Sequence, residues 1–339
     1  MNYHTFQLIS EYLDITDYIF YALVCKDWRE IINGIRKDNK YKTTYNVLTS
    51  KNLLCYSDKL LNLTLTSKVN NIIIKFGDLD SIKYLHTKTD IINSYYLNSA
   101  VSKGILDNMK WLKENGCGFS NSTFNNAIFN GILDNIKWLK SVGCEFNENT
   151  FTYGAYYGNL DNMKWLKANG CEFSNLTFSY AAKNGNLDNM KWLKANECRF
   201  NNRTFNEAAI NGNLDNMKWL KATGCAFSQR TFCYAARNGN LYNMKWLKVN
   251  GCEFSNLTFS YASENGNIDT MKWLKENGCE FGDSTFTSAI RQGDIDNMKW
   301  LKENGCPFSH DTFKCAFITG NQNTIKWLKD NGCSQYSYT

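Results

Sequence analysis

The chain has 339 residues and a formal net charge of +6, with 43% hydrophobic and 21% charged residues. This balance is typical of a soluble protein with an apolar interior, and no run approaches the roughly 18 consecutive apolar residues of a membrane span. No Lys or Arg precedes the first apolar run, so no secretory signal is indicated and we expect a cytoplasmic or nuclear protein. The lysines are spread along the chain, which argues against nucleic-acid binding.

Residues 1–35 form a distinct segment with apolar residues at helical spacing. Asp14 and Asp17 suit the first turns of helices, and Leu23, Val24 and Trp28 fall at helical spacing beyond them. A segment this short cannot bury its apolar side chains by itself, so it needs a partner surface.

This segment resembles the F-box. The matching residues are I-S-E-Y-L-D from Ile9, D-Y-I from Asp17 and L-V-C-K-D-W-R from Leu23, although Y-H-T-F from Tyr3 replaces the usual opening Leu-Pro. The resemblance implies that the segment docks on a Skp-family adaptor through Ile9, Leu13, Leu23, Val24 and Trp28. The alternative is that it only caps the apolar end of the repeats that follow.

Residues 36–70 are rich in Lys, Asn and Thr and are interpreted as a connecting segment. Residues 71–339 are interpreted as an array of 27-residue repeats, one degenerate and nine clear, because Tyr84 precedes the first repeat tryptophan by 27 residues. The repeat tryptophans are Trp111, Trp138, Trp165, Trp192, Trp219, Trp246, Trp273, Trp300 and Trp327. A fixed period of this size predicts a solenoid, since one unit cannot bury its apolar face without neighbours.

Each repeat predicts two helices. The pattern T-F-x-x-A-x-x-x-G gives a short first helix with Phe and Ala inward and Gly at its end. In the second helix Leu187, Met190 and Leu193 recur at helical spacing, and Trp192 widens the apolar arc, so we expect the tryptophans to be buried between repeats. Most second helices end at Asn-Gly, which suits a left-handed cap, and Glu197 is the exception.

The repeat resembles the ankyrin repeat. Phe178 and the Ala181–Ala182 pair match its Leu and Ala-Ala, G-N-L-D from Gly185 matches Gly-His-x-Glu, and G-C-E-F from Gly170 matches Gly-Ala-Asp-Val. An ankyrin unit has about 33 residues, and the missing residues fall between Phe173 and Phe178, where ankyrin builds its β-hairpin. The expected fold is therefore all-α, with F-box-like helices followed by an ankyrin-like solenoid whose hairpins are shortened or missing.

Nine of the 13 cysteines occupy one position of the repeat. They are Cys117, Cys144, Cys171, Cys198, Cys225, Cys252, Cys279, Cys306 and Cys333. Stacked helices lie about 8–10 Å apart, too far for disulfides between neighbouring copies, and no Cys-x-x-Cys occurs. We expect reduced, buried thiols and no metal site.

Catalytic motifs are absent from the sequence. The three histidines, His4, His86 and His310, stand in unrelated contexts, and no phosphate-binding glycine loop or nucleophile motif occurs. We expect no enzymatic activity and no cofactor.

Sequence variation within the constant repeat indicates a binding face. The position before the first Ala carries Tyr153, Tyr180, Glu207, Tyr234, Tyr261 and Ser288, and the position after the Ala pair is assigned Tyr157, Lys183, Arg237, Glu264 and Arg291. In the ankyrin repeats that this chain resembles, the matching surface lines the groove. Tyrosines edged by charges are typical of binding hot spots, and the alternative is that these tyrosines pack against the next repeat.

The two resemblances together imply a substrate-recruiting subunit of a cullin-type ubiquitin ligase, in which a Skp-family adaptor binds the F-box-like segment and a target protein binds the groove. The alternative is an ankyrin-type interaction scaffold. The chain also resembles the repeat proteins of giant viruses of amoebae, which implies host cytoplasm as its compartment. We expect a monomer.

Overall fold

A computed structural model describes residues 67–333 of the chain, so the F-box-like segment, with its five proposed adaptor-binding residues, lies outside the described residues. Every regular element in the described range is an α-helix, and no strand occurs there. This confirms the prediction of an all-α solenoid. The described residues divide into two compact units, 67–150 and 151–333.

Within residues 67–333 the helices form ten regular pairs. The first helices are α1 (Ser67–Phe76), α3 (Ser94–Lys103), α5 (Thr123–Asn130), α7 (Thr150–Tyr157), α9 (Thr177–Asn184), α11 (Thr204–Asn211), α13 (Thr231–Asn238), α15 (Thr258–Asn265), α17 (Thr285–Gln292) and α19 (Thr312–Thr319). The second helices are α2 (Leu79–His86), α4 (Leu106–Glu114), α6 (Leu133–Ser141), α8 (Leu160–Ala168), α10 (Leu187–Ala195), α12 (Leu214–Ala222), α14 (Leu241–Val249), α16 (Ile268–Glu276), α18 (Ile295–Glu303) and α20 (Gln322–Asp330). In the second unit each first helix from α9 onward packs along the first helix of the next repeat, while each second helix packs on its own first helix.

The first helices follow the predicted pattern. In α9 the hydroxyl of Thr177 accepts a hydrogen bond from the amide of Ser174 at 2.9 Å, which closes the turn before the helix. Phe178, Ala181 and Ala182 are fully buried. Small alanines allow the next helix to approach closely, and the left-handed Gly185, with φ 87°, ends the helix.

The second helices bury a different face from the one predicted. In α10 the side chain of Asn186 caps the amides of Asp188 and Asn189. Met190 and Leu193 are fully buried as expected, but the polar Asn189 is buried with them, whereas Leu187 is only half-buried. The buried arc is therefore centred nearer to Asn189 than the apolar residues alone indicate.

Several of the equivalent buried asparagines join their second helix to the preceding repeat, although Asn189 itself makes no such bond. Asn216 Nδ2 donates to the carbonyl oxygen of Gly185 at 2.6 Å, and Asn243 makes the same bond to Gly212 at 2.6 Å. These carbonyls lie at the ends of first helices, where no helical partner remains for them. The bond therefore satisfies a helix end while it fixes the register between repeats.

The tryptophans pack between repeats but are not fully buried. Trp219 lies nearly parallel to Phe178 of the preceding repeat, with ring centroids 6.5 Å apart, and Phe178 also meets Phe200 edge-on at 4.6 Å. All nine repeat tryptophans are half-buried, so they are buried less completely between repeats than the sequence predicts. Each indole therefore remains partly accessible to solvent.

The cysteines behave as the sequence predicts. All nine repeat cysteines are buried, and none of them forms a disulfide within the described residues. Burial raises the pKa of the Cys225 thiol to about 11 and that of Cys252 to about 12. Because the thiolate is the reactive form, these groups are poor nucleophiles at neutral pH.

Glycines at the ends of the second helices adopt the left-handed conformation, as the Asn-Gly pattern predicts. Gly170 has φ 80° and Gly224 has φ 88°. Glu197 occupies the equivalent position with φ 63°, and among the described residues it is the only non-glycine with positive φ. Its side chain therefore adds backbone strain at a position built for glycine.

Neither a membrane-spanning helix nor a metal-binding cluster occurs in residues 67–333. None of the helices in that range is both long and apolar enough to span a bilayer. The same residues contain no group of three or more His, Cys, Asp or Glu side chains placed to hold a metal ion.

Candidate functional site

The candidate site is a face of the first helices, formed by the fourth and seventh residues of each helix. These two positions lie three residues apart and share one side of the helix. In α9 they are Tyr180, which is half-buried, and Lys183, which is exposed. We call this surface, from α7 to α17 in the second unit, the first-helix face. It contains all ten predicted groove positions except Tyr157.

Tyr157 was assigned to the wrong position. It lies 26 residues before Lys183, whereas the 27-residue period pairs Lys183 with Tyr156. The error arose because Gly154 replaces the first alanine of the pair in α7, which shifts the apparent end of the Ala pair by one residue. The side chain of Tyr157 is 38% exposed and lies on an adjacent face of α7, outside the first-helix face.

The first aromatic cluster joins α7 to α9. Tyr156 and Tyr180 meet edge-on with ring centroids 5.6 Å apart. Lys183 Nζ lies over both rings, 5.6 Å from the centroid of Tyr156 and 5.8 Å from that of Tyr180. Tyr153, which is exposed, stacks at 6.0 Å on Tyr157. Cation and rings therefore already contact each other on this face.

The second aromatic cluster joins α13 to α15. Tyr234 and Tyr261 meet edge-on with centroids 5.5 Å apart, and their hydroxyls share a hydrogen bond. Beside them, Arg237 and Glu264 form an ion pair at 2.8 Å. Burial is the main cause that raises the pKa of Tyr261, and the neighbouring Tyr234 raises it further. The Tyr261 hydroxyl therefore stays protonated and can donate a hydrogen bond. The cluster presents both apolar rings and charged groups.

Glu207 lies in the same row between the two clusters. It is half-buried, and its Oε2 is buried without a hydrogen-bond partner among the described residues. The face continues at α17, where Arg291 is exposed but Ser288 is buried and does not contribute to the surface. Substitution of the large tyrosine by serine thus ends the aromatic row.

Sequence reasoning missed two residues beside this face, Arg203 and Arg230. Each immediately precedes a first helix, α11 or α13, and each is exposed. Both lie in connectors between repeats, where polar residues are common and so give no sequence signal of a binding site. Aligning the repeats by their 27-residue period and comparing this position could have found them.

Comparisons with known proteins add little to this description. No protein-family model matches the chain, and no curated protein matches it. Among solved structures, it is similar to the pentatricopeptide repeat protein PPR10 from maize, with 15% identity and a TM-score of 0.38 over 84% of this chain and 52% of that one.

Two further PPR10 structures, both in complex with an 18-nt psaJ RNA element, match over 84% of this chain and 51% of theirs. The identities are 15% and 14%, and both TM-scores are 0.39. The chain thus spans about half the length of the structures it matches. At these values the likeness carries no argument about function, and the helical-repeat architecture rests on the chain's own helices.

Proposed function

We propose that this protein is a non-enzymatic binding scaffold that holds another protein on the first-helix face. The observation that carries the proposal is the cluster of Tyr234, Tyr261, Arg237 and Glu264, in which rings and charged groups of adjacent repeats stand side by side. Tyr and Arg are enriched at the centres of protein interfaces because they combine a large apolar area with strong hydrogen bonding.

A tyrosine-to-serine variant tests the binding face. Changing Tyr180, Tyr234 and Tyr261 together to Ser removes the rings while leaving the fully buried Phe and Ala positions intact. A phage library of random peptides of about twelve residues serves as the probe, since such peptides span several interface pockets. Peptides selected on the parent chain should lose binding to this variant, while its helical circular dichroism stays unchanged. If the variant melts far below the parent, the tyrosines are packing residues and the proposal fails.

The finer proposal is that the scaffold is an ankyrin-like, substrate-recruiting subunit of a cullin-type ubiquitin ligase. It is supported by the F-box-like residues from Ile9 to Arg29 and by the ankyrin-like pattern of the repeats. In this proposal Leu13, Leu23 and Trp28 contact a Skp-family adaptor, and the chain itself carries out no chemistry.

A binding assay with a purified Skp-family adaptor tests the ligase proposal. The intact chain should bind the adaptor, and a chain that starts at Lys51 should lose the adaptor but keep its peptides. If the intact chain binds no adaptor and the truncated chain aggregates, residues 1–35 act as a cap and the interaction scaffold remains.

A further inference from the structure

The residue immediately before each first helix varies along the array, and in two adjacent repeats it is an arginine. From α5 to α19 this position carries Ser122, Asn149, Leu176, Arg203, Arg230, Leu257, Ser284 and Asp311. Positive charge occurs only at Arg203 and Arg230, in consecutive repeats. The two arginines therefore form a local pair rather than a stripe along the array.

Neither arginine has a structural role within the described residues. Both occupy the N-cap position of their helix, and neither side chain makes a capping hydrogen bond. Both are exposed, and no ion pair within 4.0 Å is found for either among residues 67–333. Arg237, by contrast, is already held by Glu264 at 2.8 Å. The guanidinium groups of Arg203 and Arg230 are thus free to bind a ligand.

The second aromatic cluster lies next to Arg230. Arg230 precedes α13 directly and lies four residues before Tyr234, whose amide donates to the carbonyl oxygen of Arg230 at 3.2 Å, so both side chains start from one side of that helix. The ring of Tyr234 in turn meets that of Tyr261 at 5.5 Å. A guanidinium and phenol hydroxyls all donate hydrogen bonds, and carboxylate oxygens accept them. The helices that begin at Thr204 and Thr231 add the positive ends of their dipoles on the same side.

We propose that Arg203 and Arg230, with the hydroxyls of Tyr234 and Tyr261, bind acidic side chains of an extended segment of the partner protein. The inference rests on the proposed function, because it names the chemistry that the first-helix face recognises. Neighbouring helix rows lie about 8–10 Å apart, and an extended chain in the polyproline II conformation advances about 3.1 Å per residue and returns its side chains to the same side every three residues. Asp or Glu residues three positions apart therefore match the two arginines.

A protein segment fits this surface better than a nucleic acid does. Glu207 stands one turn after Arg203 on α11, and Glu264 lies beside Tyr261 on α15. A phosphate backbone carries a charge at every nucleotide and would meet both carboxylates. A peptide can place its acidic residues at the arginines and uncharged residues elsewhere.

The test uses the full chain and the same phage library of random peptides of about twelve residues. Selected peptides should be enriched in Asp or Glu pairs spaced by three residues. A synthetic selected peptide should bind the R203E/R230E double variant at least about tenfold more weakly, a change equivalent to about 1.4 kcal/mol. The same peptide with Lys at its two acidic positions should recover binding to this variant. Glutamate suits a helix N-terminus, so the variant should fold normally, and a thermal melt verifies this.

The matched control is K191E/K218E, which changes two exposed lysines one repeat apart on the second helices α10 and α12. It alters the net charge equally, so it should leave peptide binding within about twofold of the parent if the effect is local. An equal loss in both double variants would show a general charge effect and overturn the inference.

The remaining outcomes separate the inference from the proposed function. Peptides that require Tyr180, Tyr234 and Tyr261, yet show no acidic bias and bind R203E/R230E normally, would overturn the inference and leave the scaffold in place. If no peptide is enriched, both fail. If fluorescein-labelled single-stranded RNA of about 20 nucleotides binds more tightly than any selected peptide and R203E/R230E abolishes that binding, the ligand is a nucleic acid and the inference is wrong.

Discussion

At the scale of single residues, the backbone conformation limits which residue a repeat position can carry. Glu197 shows this most clearly, because eight glycines occupy the equivalent left-handed position in the other clear repeats. A side chain in that conformation costs about 1–2 kcal/mol. The strain lies at one end of α10, in the connector that leads to Arg203.

Glu197→Gly should stabilise the chain. Relief of about 1–2 kcal/mol of strain exceeds the roughly 0.4–1 kcal/mol of chain entropy that glycine adds to the unfolded state. We expect a net gain of about 0.5–1 kcal/mol by urea denaturation. Gly224→Ala is the matched control, since a Cβ there meets nothing within 4 Å. Gly224→Ala should destabilise the chain through backbone strain alone. If the two variants change the free energy of unfolding in the same direction, the strain assigned to Glu197 is wrong.

Asn216→Ala should destabilise the second unit by about 1–3 kcal/mol, because the half-buried carbonyl of Gly185 loses its donor. Asn216→Thr should cost much less. Thr270 already occupies the equivalent position in α16, and its hydroxyl donates to the carbonyl of Gly239 at 3.3 Å. Equal losses for the Ala and Thr variants, measured by urea denaturation, would show that packing and not the hydrogen bond matters.

At the scale of helices, the repeat buries aromatic rings along one side and keeps charges on the other. Lys194 Nζ lies 4.2 Å from the ring centroid of Phe200, and Lys221 lies 4.1 Å from that of Phe227. Such lysines cover connector rings that would otherwise face water, while their charged ends stay hydrated. The chain therefore stays charged on its surface without losing apolar contacts.

Trp219→Ala should lower the free energy of unfolding by about 2 kcal/mol, less than the 3–5 kcal/mol typical of a fully buried tryptophan, since the indole is half-buried. Its stacking on Phe178 still holds adjacent repeats together. Trp219→Phe, which keeps a ring, is the control and should recover at least half of the loss in a thermal or urea melt.

Alkaline pH should destabilise the chain through its buried thiols. The pKa of an exposed thiol is near 9.0, whereas burial raises the pKa of Cys225 to about 11 and that of Cys252 to about 12. The unfolded chain therefore releases protons first, so stability is complete below pH 9.0 and falls as pH rises towards about 12. Urea denaturation across this range should show the fall, and the double variant C225A/C252A should show a shallower one. An unchanged slope would contradict the assignment to these thiols.

The sequence predicted helices well and exposure less well. Phe178, Ala182 and Gly185 occur in local patterns that encode helix, burial and stop directly, so α9 was placed correctly. The burial of Asn189 and the half-exposure of Trp192 depend on where the neighbouring helix lies, which a single repeat does not encode.

In the candidate site, too, the sequence predicts what the local pattern encodes and misses what depends on neighbouring repeats. Its rows follow from the 27-residue period, yet one irregular residue, Gly154, sufficed to displace Tyr157 by one position. Arg203 and Arg230 were overlooked because their role depends on what the adjacent repeats bring near them.

At the scale of the whole molecule, the described solenoid is built from equivalent interfaces. The stacking of Phe151 on Trp192 recurs as Phe178 on Trp219 and Phe232 on Trp273, with interplanar angles of 6°, 9° and 6°. Each repeat in the second unit contacts mainly its neighbours, so stability is approximately a sum of repeats and interfaces.

Deleting Thr204–Arg230, one complete repeat, should leave a folded chain. Phe178 then meets Trp246 in place of Trp219, and Asn243 replaces Asn216 as the donor to Gly185. We expect native helical circular dichroism and a cooperative melt at a somewhat lower temperature. Deleting only Thr204–Asn213, a single first helix with its linker, is the control and should abolish the cooperative melt. If both deletions behave alike, the repeats are not interchangeable units.

The half-exposed tryptophans also give this protein an optical property. Five indoles of the second unit are half-buried and stack on a phenylalanine of the preceding repeat: Trp192, Trp219, Trp273, Trp300 and Trp327. The emission of each should shift to longer wavelengths when that one interface separates. A chain that keeps a single tryptophan, with phenylalanine at the other repeat positions, would report the opening of one chosen interface. A series of such chains would map the order in which the solenoid opens along its length.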